Sequence, residues 1–354
     1  MNEVSVARWR QMLEEAIAQR YFPGAALAVV NPAGTTAVYA GRFTYEPDSR
    51  AVDSDSLWDM ASVTKVMATT SVVMRLVDRG ELDLEEPLMT DLPQVQAPGV
   101  TYEDCLRHEG GWAAYVSLED EADADVAANR VRLLAQTPVA PRRSGTVYSC
   151  LSMQMATAGI EARTGKSLPE LFAQEVAGPM GLNSASFHPR ERENCVPTEE
   201  NPPWRQRVAE ERNEPGARSP YTQGSVHDPA CYLLGGAAGN AGLFATLTDV
   251  VLWAKFIVGV ETGWVRESTL ANFQKPRIEG CRAVGFDCPS VDGFLAGLNM
   301  SPGSFGHLGF TGTLAWFQPL EPAALILLTN RVHPRRDMSN IMQVRRDIAS
   351  EMWK

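Results

Sequence analysis

Apolar and polar positions alternate in several registers along the chain, and each register predicts an element. Residues 3–20 carry apolar side chains at helical spacing. Ala25–Val30 is a short apolar run, Asn31-Pro32-Ala33-Gly34 has turn chemistry, and Thr36–Gly41 reads as a second strand, so the three form a hairpin. From Ser62 to Val77 the apolar residues Val63, Val66, Met67, Val73, Met74 and Val77 fall on one helical face, and Gly80 supplies a stop. Between residues 81 and 240 the texture changes. Helical patterns at 122–136 and 150–164 are separated by loops rich in Pro and Gly, and 189–229 holds seven prolines with no clear period, as in a long ordered excursion over the surface or around a site mouth. The acidic run Glu119–Asp125 reads as a solvated helix start. A further amphipathic helix is predicted at Thr248–Val258, two strands at Leu314–Gln318 and Ala323–Thr329, and a last helix at Asp337–Trp353.

The strand patterns thus lie near both ends and the middle is mainly helical. This predicts an α/β (α+β) fold: an antiparallel sheet flanked by helices, formed by residues 1–80 and 241–354, with a helical domain of residues 81–240 inserted. At 354 residues the chain can bury a substantial core without disulfides or metals.

Composition narrows the functional classes. A net charge of −11 argues against nucleic acid as a partner. No stretch reaches the length of about 18 apolar residues that a membrane span needs. The N-terminus has no apolar signal-peptide core, so the expectation is a cytoplasmic protein, or a periplasmic or secreted one if the natural start has been trimmed. Six cysteines (105, 150, 195, 231, 281 and 288) form no CxxC pair and have no His partner at zinc-like spacing, which favours free thiols. No HExxH motif or carboxylate cluster suggests a metal, no cofactor is expected, and His227-Asp228 reads as a structural loop pair.

Three motifs carry the chemistry. In Ser62-Val63-Thr64-Lys65, residues i and i+3 of a helix share a face about 5–6 Å apart at Cβ, so the lysine can reach the serine oxygen and act as its base. The chain uses five lysines against 27 arginines, and lysine is the one that can be deprotonated. Tyr148 in Tyr148-Ser149-Cys150 can pass a proton to a leaving group if it lies near a cationic lysine. In Phe305–Thr313, glycines at 306, 309 and 312 let a strand approach a ligand closely and present a backbone N–H to an oxyanion.

The order S-x-x-K, Tyr, H-x-G resembles the serine β-lactamase-like family of class C β-lactamases, DD-peptidases, D-aminopeptidases and family VIII esterases. Further stretches resemble its esterase-type members: Leu57–Lys65, Leu106–Tyr115, Val226–Thr246 and Leu328–Pro334, of which 226–246 is the most specific. The resemblance implies Ser62 as nucleophile, Lys65 as base and Tyr148 as proton carrier. It implies an oxyanion hole from the backbone N–H groups of Ser62 and Phe310, and a cleft between an α/β and a helical domain. His307, Leu308, Gly309, Cys150 and Trp112 are the expected substrate-binding residues. Cys150 stands where the family usually has Asn and His307 where it usually has Lys, changes that point away from carboxylate-bearing β-lactams. The expected substrate is therefore a small uncharged ester or amide. The alternatives are β-lactamase, DD-peptidase or D-aminopeptidase activity, or a non-catalytic binding relative. Oligomeric state is open.

Overall fold

The computed structural model describes residues 3–277, 282–289, 303–337 and 339–352. The apolar run of the first hairpin becomes β1 (Gly24–Asn31) and its partner β2 (Gly34–Gly41), paired antiparallel through a tight turn at Pro32-Ala33. Gly34, at φ +140°, holds a backbone conformation that L side chains rarely adopt. β1 lies inside the sheet because its other edge pairs with β7 (Ala323–Thr329), placing Leu27 opposite Leu327. β6 (Leu314–Gln318) pairs with β7, and β5 (Phe305–Leu308) pairs with β6. The order across the five strands is β2-β1-β7-β6-β5, all antiparallel.

Both faces of this sheet are covered, which is why β1 and β7 read as unbroken apolar runs. Ala25, Leu27 and Val29 pack with Leu325 and Leu327 against Trp9 and Leu13 of the helix Glu3–Ala18 and Val344 and Ile348 of the helix Ile341–Met352. The opposite face, with Ala26, Ala28 and Ile326, meets the helix Leu247–Ile257, whose Trp253 sets its ring edge-on to Phe317 at 5.3 Å. The predicted last helix ends at Met352; Trp353 lies outside the described residues.

Residues 81–240 contribute helices and isolated bridges and, among the described residues, no strand. One continuous apolar cluster runs from the sheet into this segment through Leu106, Met153, Leu171 and Leu233. The pattern at 122–136 is a shorter helix, Val126–Leu134, capped by the Asp125 carboxylate on the N–H groups of Ala127 and Ala128. The acidic run is thus partly a cap, as its position suggests. The predicted 150–164 helix is found at Cys150–Thr164, capped by Ser149. Within the proline-rich excursion a helix forms at Pro203–Glu211. No helix among the described residues is long and apolar enough to cross a membrane.

The helix expected over Ser62–Val77 is not uniform. It opens with a 3₁₀ turn at Ala61–Val63, widens to a π turn over Lys65–Thr70 and becomes α only at Ser71–Asp78. The Ser71 hydroxyl takes the Val66 carbonyl five residues back and in turn accepts from Trp253 Nε1. That side-chain bond competes with the ordinary i→i−4 ladder and accompanies the wider turn.

Candidate active site

A two-residue ladder anchors the site. β3 (Trp58–Asp59) pairs with β4 (Phe244–Ala245), bringing residues 240–246 alongside the start of the Ser62 helix. Met60 N–H donates to Leu243 O, and Leu243 N–H donates to Thr64 Oγ1. Between ladder and helix the backbone turns sharply at Ala61, a non-glycine residue at φ +46°. The buried Asp59 carboxylate holds this turn: Oδ1 accepts from Ala61 N–H at 2.8 Å and Oδ2 from His227 N–H at 2.6 Å. From the other side, Thr311 Oγ1 donates to Asp59 O and Thr313 Oγ1 to Met60 O. Gly309 makes this approach possible, since a Cβ there would lie 1.9 Å from Thr313 Oγ1 and 2.8 Å from Met60 O.

Lys65 is wholly buried, and Nζ donates to Ser62 Oγ at 2.9 Å, Asn240 O at 3.0 Å and Cys150 Sγ at 3.5 Å. Three acceptors use all three ammonium protons. In the amine form two protons would serve Asn240 and Cys150, leaving the lone pair toward Ser62. Nζ also sits 5.0 Å from the centre of the Tyr148 ring. Burial pulls the Lys65 ammonium down, but negative charge on Cys150 and Tyr148 pulls harder and the net direction is up. The protonation of Lys65 is therefore governed by the groups it contacts as well as by its burial.

Tyr148 is the solvent-facing one of these groups, 37% exposed, and its ring is enclosed by groups distant in sequence. His108 lies 4.9 Å away between ring centres and His307 5.8 Å, and the Arg282 guanidinium sits 5.0 Å from the ring centre. Both imidazoles are buried and held well below their ordinary titration range, first by burial and then by the charges of Arg282 and Lys65.

A cavity of about 360 Å³ opens beside Ser62, lined among others by Tyr115, Glu119, Cys150, Asp228, Phe310 and Arg336. Phe310, 46% exposed, stacks on His227 at 5.7 Å and carries the Arg331 guanidinium over its ring. His227 Nε2 pairs with Glu199 at 2.9 Å, and Asp228 caps the helix Pro229–Leu233 through Cys231 N–H. The His227-Asp228 pair thus makes the structural contacts expected of it, and both residues also line the cavity.

The structure corrects three expected substrate contacts. Trp112 is 1% exposed and belongs to the core, because a turn at Gly110-Gly111 folds it inward, Gly111 lying at φ +76°. Leu308 packs with the face of the sheet that meets the terminal helices, since strand alternation sends it opposite to His307. His307 faces the correct side but lies buried against Tyr148, outside the cavity lining. Gly309 acts through the close packing it permits under Met60. Cys150 does line the cavity, and its contact with Lys65 is a relation that motif spacing could not show. Ser62, Lys65 and Tyr148 come together as expected, and Ser62 and Phe310 share the cavity wall.

Asp59, His108 and Asn240 were not singled out from the sequence, although each lies inside a stretch that carried the family resemblance. Arg282 had no sequence signal. The five described cysteines, at 105, 150, 195, 231 and 288, are free thiols; Cys281 lies outside the described residues. Among the described residues no group of His, Cys, Asp and Glu could hold a metal ion.

Comparison with known proteins gives this geometry its family. An N-acetylmuramyl-L-alanine amidase of Bacillus subtilis (strain 168) is 28% identical over 361 aligned residues, covering 91% of this chain and 80% of that protein. The structure of EstCE1, a hydrolase with promiscuous acyltransferase activity, superimposes with a TM-score of 0.78 at 18% identity, covering 99% of both chains. The D-alanine carboxypeptidase AmpC from Burkholderia cenocepacia gives a TM-score of 0.73 at 15% identity, again over 99% of both chains. At these identities the structural likeness speaks for the fold. The family model described as Beta-lactamase matches residues 9–349, nearly the whole chain, and with the fold and the Ser62–Lys65 pair it identifies the protein as a member of the beta-lactamase family, a hydrolase of the serine β-lactamase fold.

Proposed function

We propose that this hydrolase is a carboxylesterase that accepts the acyl group of a small, uncharged ester on Ser62 and passes it to water. The observation that carries the reading is the charge of the cavity beside Ser62. Among its described lining residues are the carboxylates of Glu119 and Asp228, while its arginine, Arg336, is held by Glu199 through Nε at 2.8 Å and 3.0 Å. A substrate carboxylate would meet two like charges and no uncommitted cation among these residues, a repulsive arrangement in a partly desolvated cavity. The neutral His307 adds no fixed charge, and Cys150 offers an acyl-amide group only weak hydrogen bonding.

In this reading Lys65 acts through its amine form, the minority state where its neighbours favour the ammonium, and accepts the Ser62 proton while Oγ attacks the ester carbonyl. The oxyanion is received by the N–H groups of Ser62 and Phe310. Tyr148 delivers a proton to the departing alkoxide, and the ester C–O bond breaks to leave acyl-Ser62. Water then attacks the acyl carbon, the Lys65–Tyr148 pair removes its proton, and Ser62 leaves with a proton returned. The family relationship and the cluster geometry support the sequence of steps.

The same two carboxylates favour one second reading, hydrolysis of a substrate bearing a free ammonium group, as a D-aminopeptidase requires. Mass spectrometry after a fluorophosphonate probe should place one adduct on Ser62, and a series of p-nitrophenyl esters should be hydrolysed by the native protein and not by Ser62→Ala. Ester hydrolysis that survives in Ser62→Ala would sink the proposal. Turnover of D-alanine p-nitroanilide but not of the esters would select the second reading, and nitrocefin turnover or D-alanine release from a D-Ala-D-Ala peptide would select the β-lactam or DD-peptidase classes. Labelling with no turnover of any substrate would also count against the esterase. Product analysis with an added alcohol separates hydrolysis from acyl transfer.

A further inference from the structure

Arg345 is a buried cation with no carboxylate partner among the described residues. It stands on the helix Ile341–Met352, 4% exposed, behind the turn that joins β5 to β6. Nη2 donates to Gly309 O at 2.8 Å and to Thr313 O at 2.7 Å. Nη1 lies 3.6 Å from Met342 Sδ, and Nε is buried without a partner. Burial and then the like charge of Arg331 lower its pKa to about 9, so it is still a cation at neutral pH. A charge held out of water without a counter-charge is expensive to keep.

The turn does not need that charge to satisfy its backbone. Gly309 O also accepts from Gly312 N–H at 3.1 Å, and Thr313 O from Gly309 N–H at 2.7 Å. What the cation reaches is one particular peptide. Gly309 C=O and Phe310 N–H belong to the same trans unit, in which the two groups point in opposite directions. Arg345 therefore holds the oxygen end while the N–H end faces away from it, on a residue that lines the cavity beside Ser62. Among the described residues Phe310 N–H has no hydrogen-bond acceptor. On the next peptide Arg331 Nε donates to Phe310 O at 2.6 Å, so the carbonyls on both sides of this N–H are tied down. A charged donor on the oxygen of a peptide polarises it and strengthens its N–H as a donor, most of all in a low dielectric.

We propose that Arg345 is a positioning residue for the oxyanion hole: its charge, hydrogen-bonded to Gly309 O, fixes and polarises the peptide whose Phe310 N–H receives the oxyanion. The inference rests on the acyl-Ser62 reading and leaves the acyl group open. Arg345 touches no substrate and exchanges no proton.

A fluorophosphonate probe and its P=S analogue separate this role from a purely structural one. As Ser62 Oγ bonds phosphorus, Lys65 takes the hydroxyl proton and fluoride leaves, negative charge builds on oxygen in the first probe. In the second it builds on sulfur, a weak hydrogen-bond acceptor. Arg345→Met should slow labelling by the P=O probe by about 100-fold, the lower end of what loss of an oxyanion donor costs. The P=S probe should label the native and variant proteins at rates within about twofold. Arg345→Lys, which keeps the charge and an N–H, should recover most of the loss, and the neutral Arg345→Gln should not. Equal slowing with both probes would show a merely structural role, and an unchanged P=O rate would show none; either overturns the proposal. Should Arg345→Met fail to fold by circular dichroism, Arg345→Gln carries the same comparison. Nitrogen NMR of the full chain gives a readout that needs no activity. Labelling glycine at the carbonyl carbon and phenylalanine at nitrogen selects the pairs Gly285-Phe286, Gly293-Phe294 and Gly309-Phe310, and the signal lost in Phe310→Leu is that of Phe310. In Arg345→Gln it should move upfield as the polarisation is lost, and an unmoved signal would refute the inference. If the native protein labels at Ser62 but turns over no ester, the esterase reading falls and every arm of this test stands. If it takes neither probe, the acyl-Ser62 reading falls and the nitrogen shift alone decides whether Arg345 polarises the peptide.

Discussion

Replacement of Asp59 should damage the protein twice, once in stability and once in acylation. Its carboxylate receives two buried backbone donors, Ala61 N–H at 2.8 Å and His227 N–H at 2.6 Å. In Asp59→Ala both donors lose their acceptor, at about 1–3 kcal/mol each, so the expected loss is about 2–6 kcal/mol. Asp59→Asn is the sharper variant. One amide oxygen can keep Ala61, but the amide nitrogen then meets His227 N–H donor to donor, so at least one bond is lost, about 1–3 kcal/mol. The second effect follows from Ala61 at φ +46°, a conformation that costs about 1–3 kcal/mol in a non-glycine residue and persists only while its surroundings enforce it. A relaxed turn would carry Ser62 Oγ away from its 2.9 Å contact with Lys65, and displacement by about 1 Å can cost about 100-fold in rate. Urea denaturation measures the first effect and the rate of fluorophosphonate labelling the second. An Asp59→Ala protein of native stability, or one that labels Ser62 at the native rate, would refute the assignment of this carboxylate as the brace of the turn.

Three further outcomes are expected. Gly309→Ala should destabilise the fold by about 1–3 kcal/mol through overpacking, because its Cβ would meet Thr313 Oγ1 at 1.9 Å; a denaturation midpoint equal to the native one would contradict the close approach. Stability should fall with acidity below about pH 6.5, where an unfolded histidine begins to bind a proton that native His108 and His307 refuse. Their folded values lie below the unfolded one, so the stabilisation is complete above that pH and is lost as pH drops, by about 1.4 kcal/mol per unit for each histidine. Urea midpoints across this range should show His307→Gln with the shallower slope, and equal slopes would count against a neutral buried His307. Cys150→Asn places amide donors on the cavity wall, and nitrocefin acylation should rise about five- to tenfold, the worth of one hydrogen bond. An unchanged nitrocefin rate would remove Cys150 from the specificity determinants.

Legibility in the sequence followed the range of the interactions involved. The strands at 314–318 and 323–329 were readable to the residue, because alternation and apolar runs are local consequences of a sheet buried on both faces. The Ser62–Lys65 relation was equally readable, since three residues along a helical turn fix a distance. The widened turn at Lys65–Thr70 was not, because it involves Ser71 bonding to Val66 while held by Trp253, some 180 residues away in the chain. The same division explains the misplaced substrate contacts. Leu308 and His307 are neighbours in one motif, but a strand sends neighbours to opposite faces, and only the sheet's position relative to Ser62 decides which face matters. Asp59, His108 and Arg282 show the strongest form of the rule. Asp59 braces the adjacent Ala61 turn but also takes the remote His227 N–H, and His108 and Arg282 act on a backbone or ring supplied by a remote segment. A family resemblance transmits Asp59 and His108 silently, inside matching stretches, and the structure is what separates them from their neighbours and adds Arg282 from outside those stretches. The departures at Cys150 and His307 are informative for the same reason. Both neighbour the Lys65–Tyr148 pair from elements that the motif pattern treats as separate, so changing either alters that pair's surroundings, while only Cys150 also lines the cavity a substrate would enter.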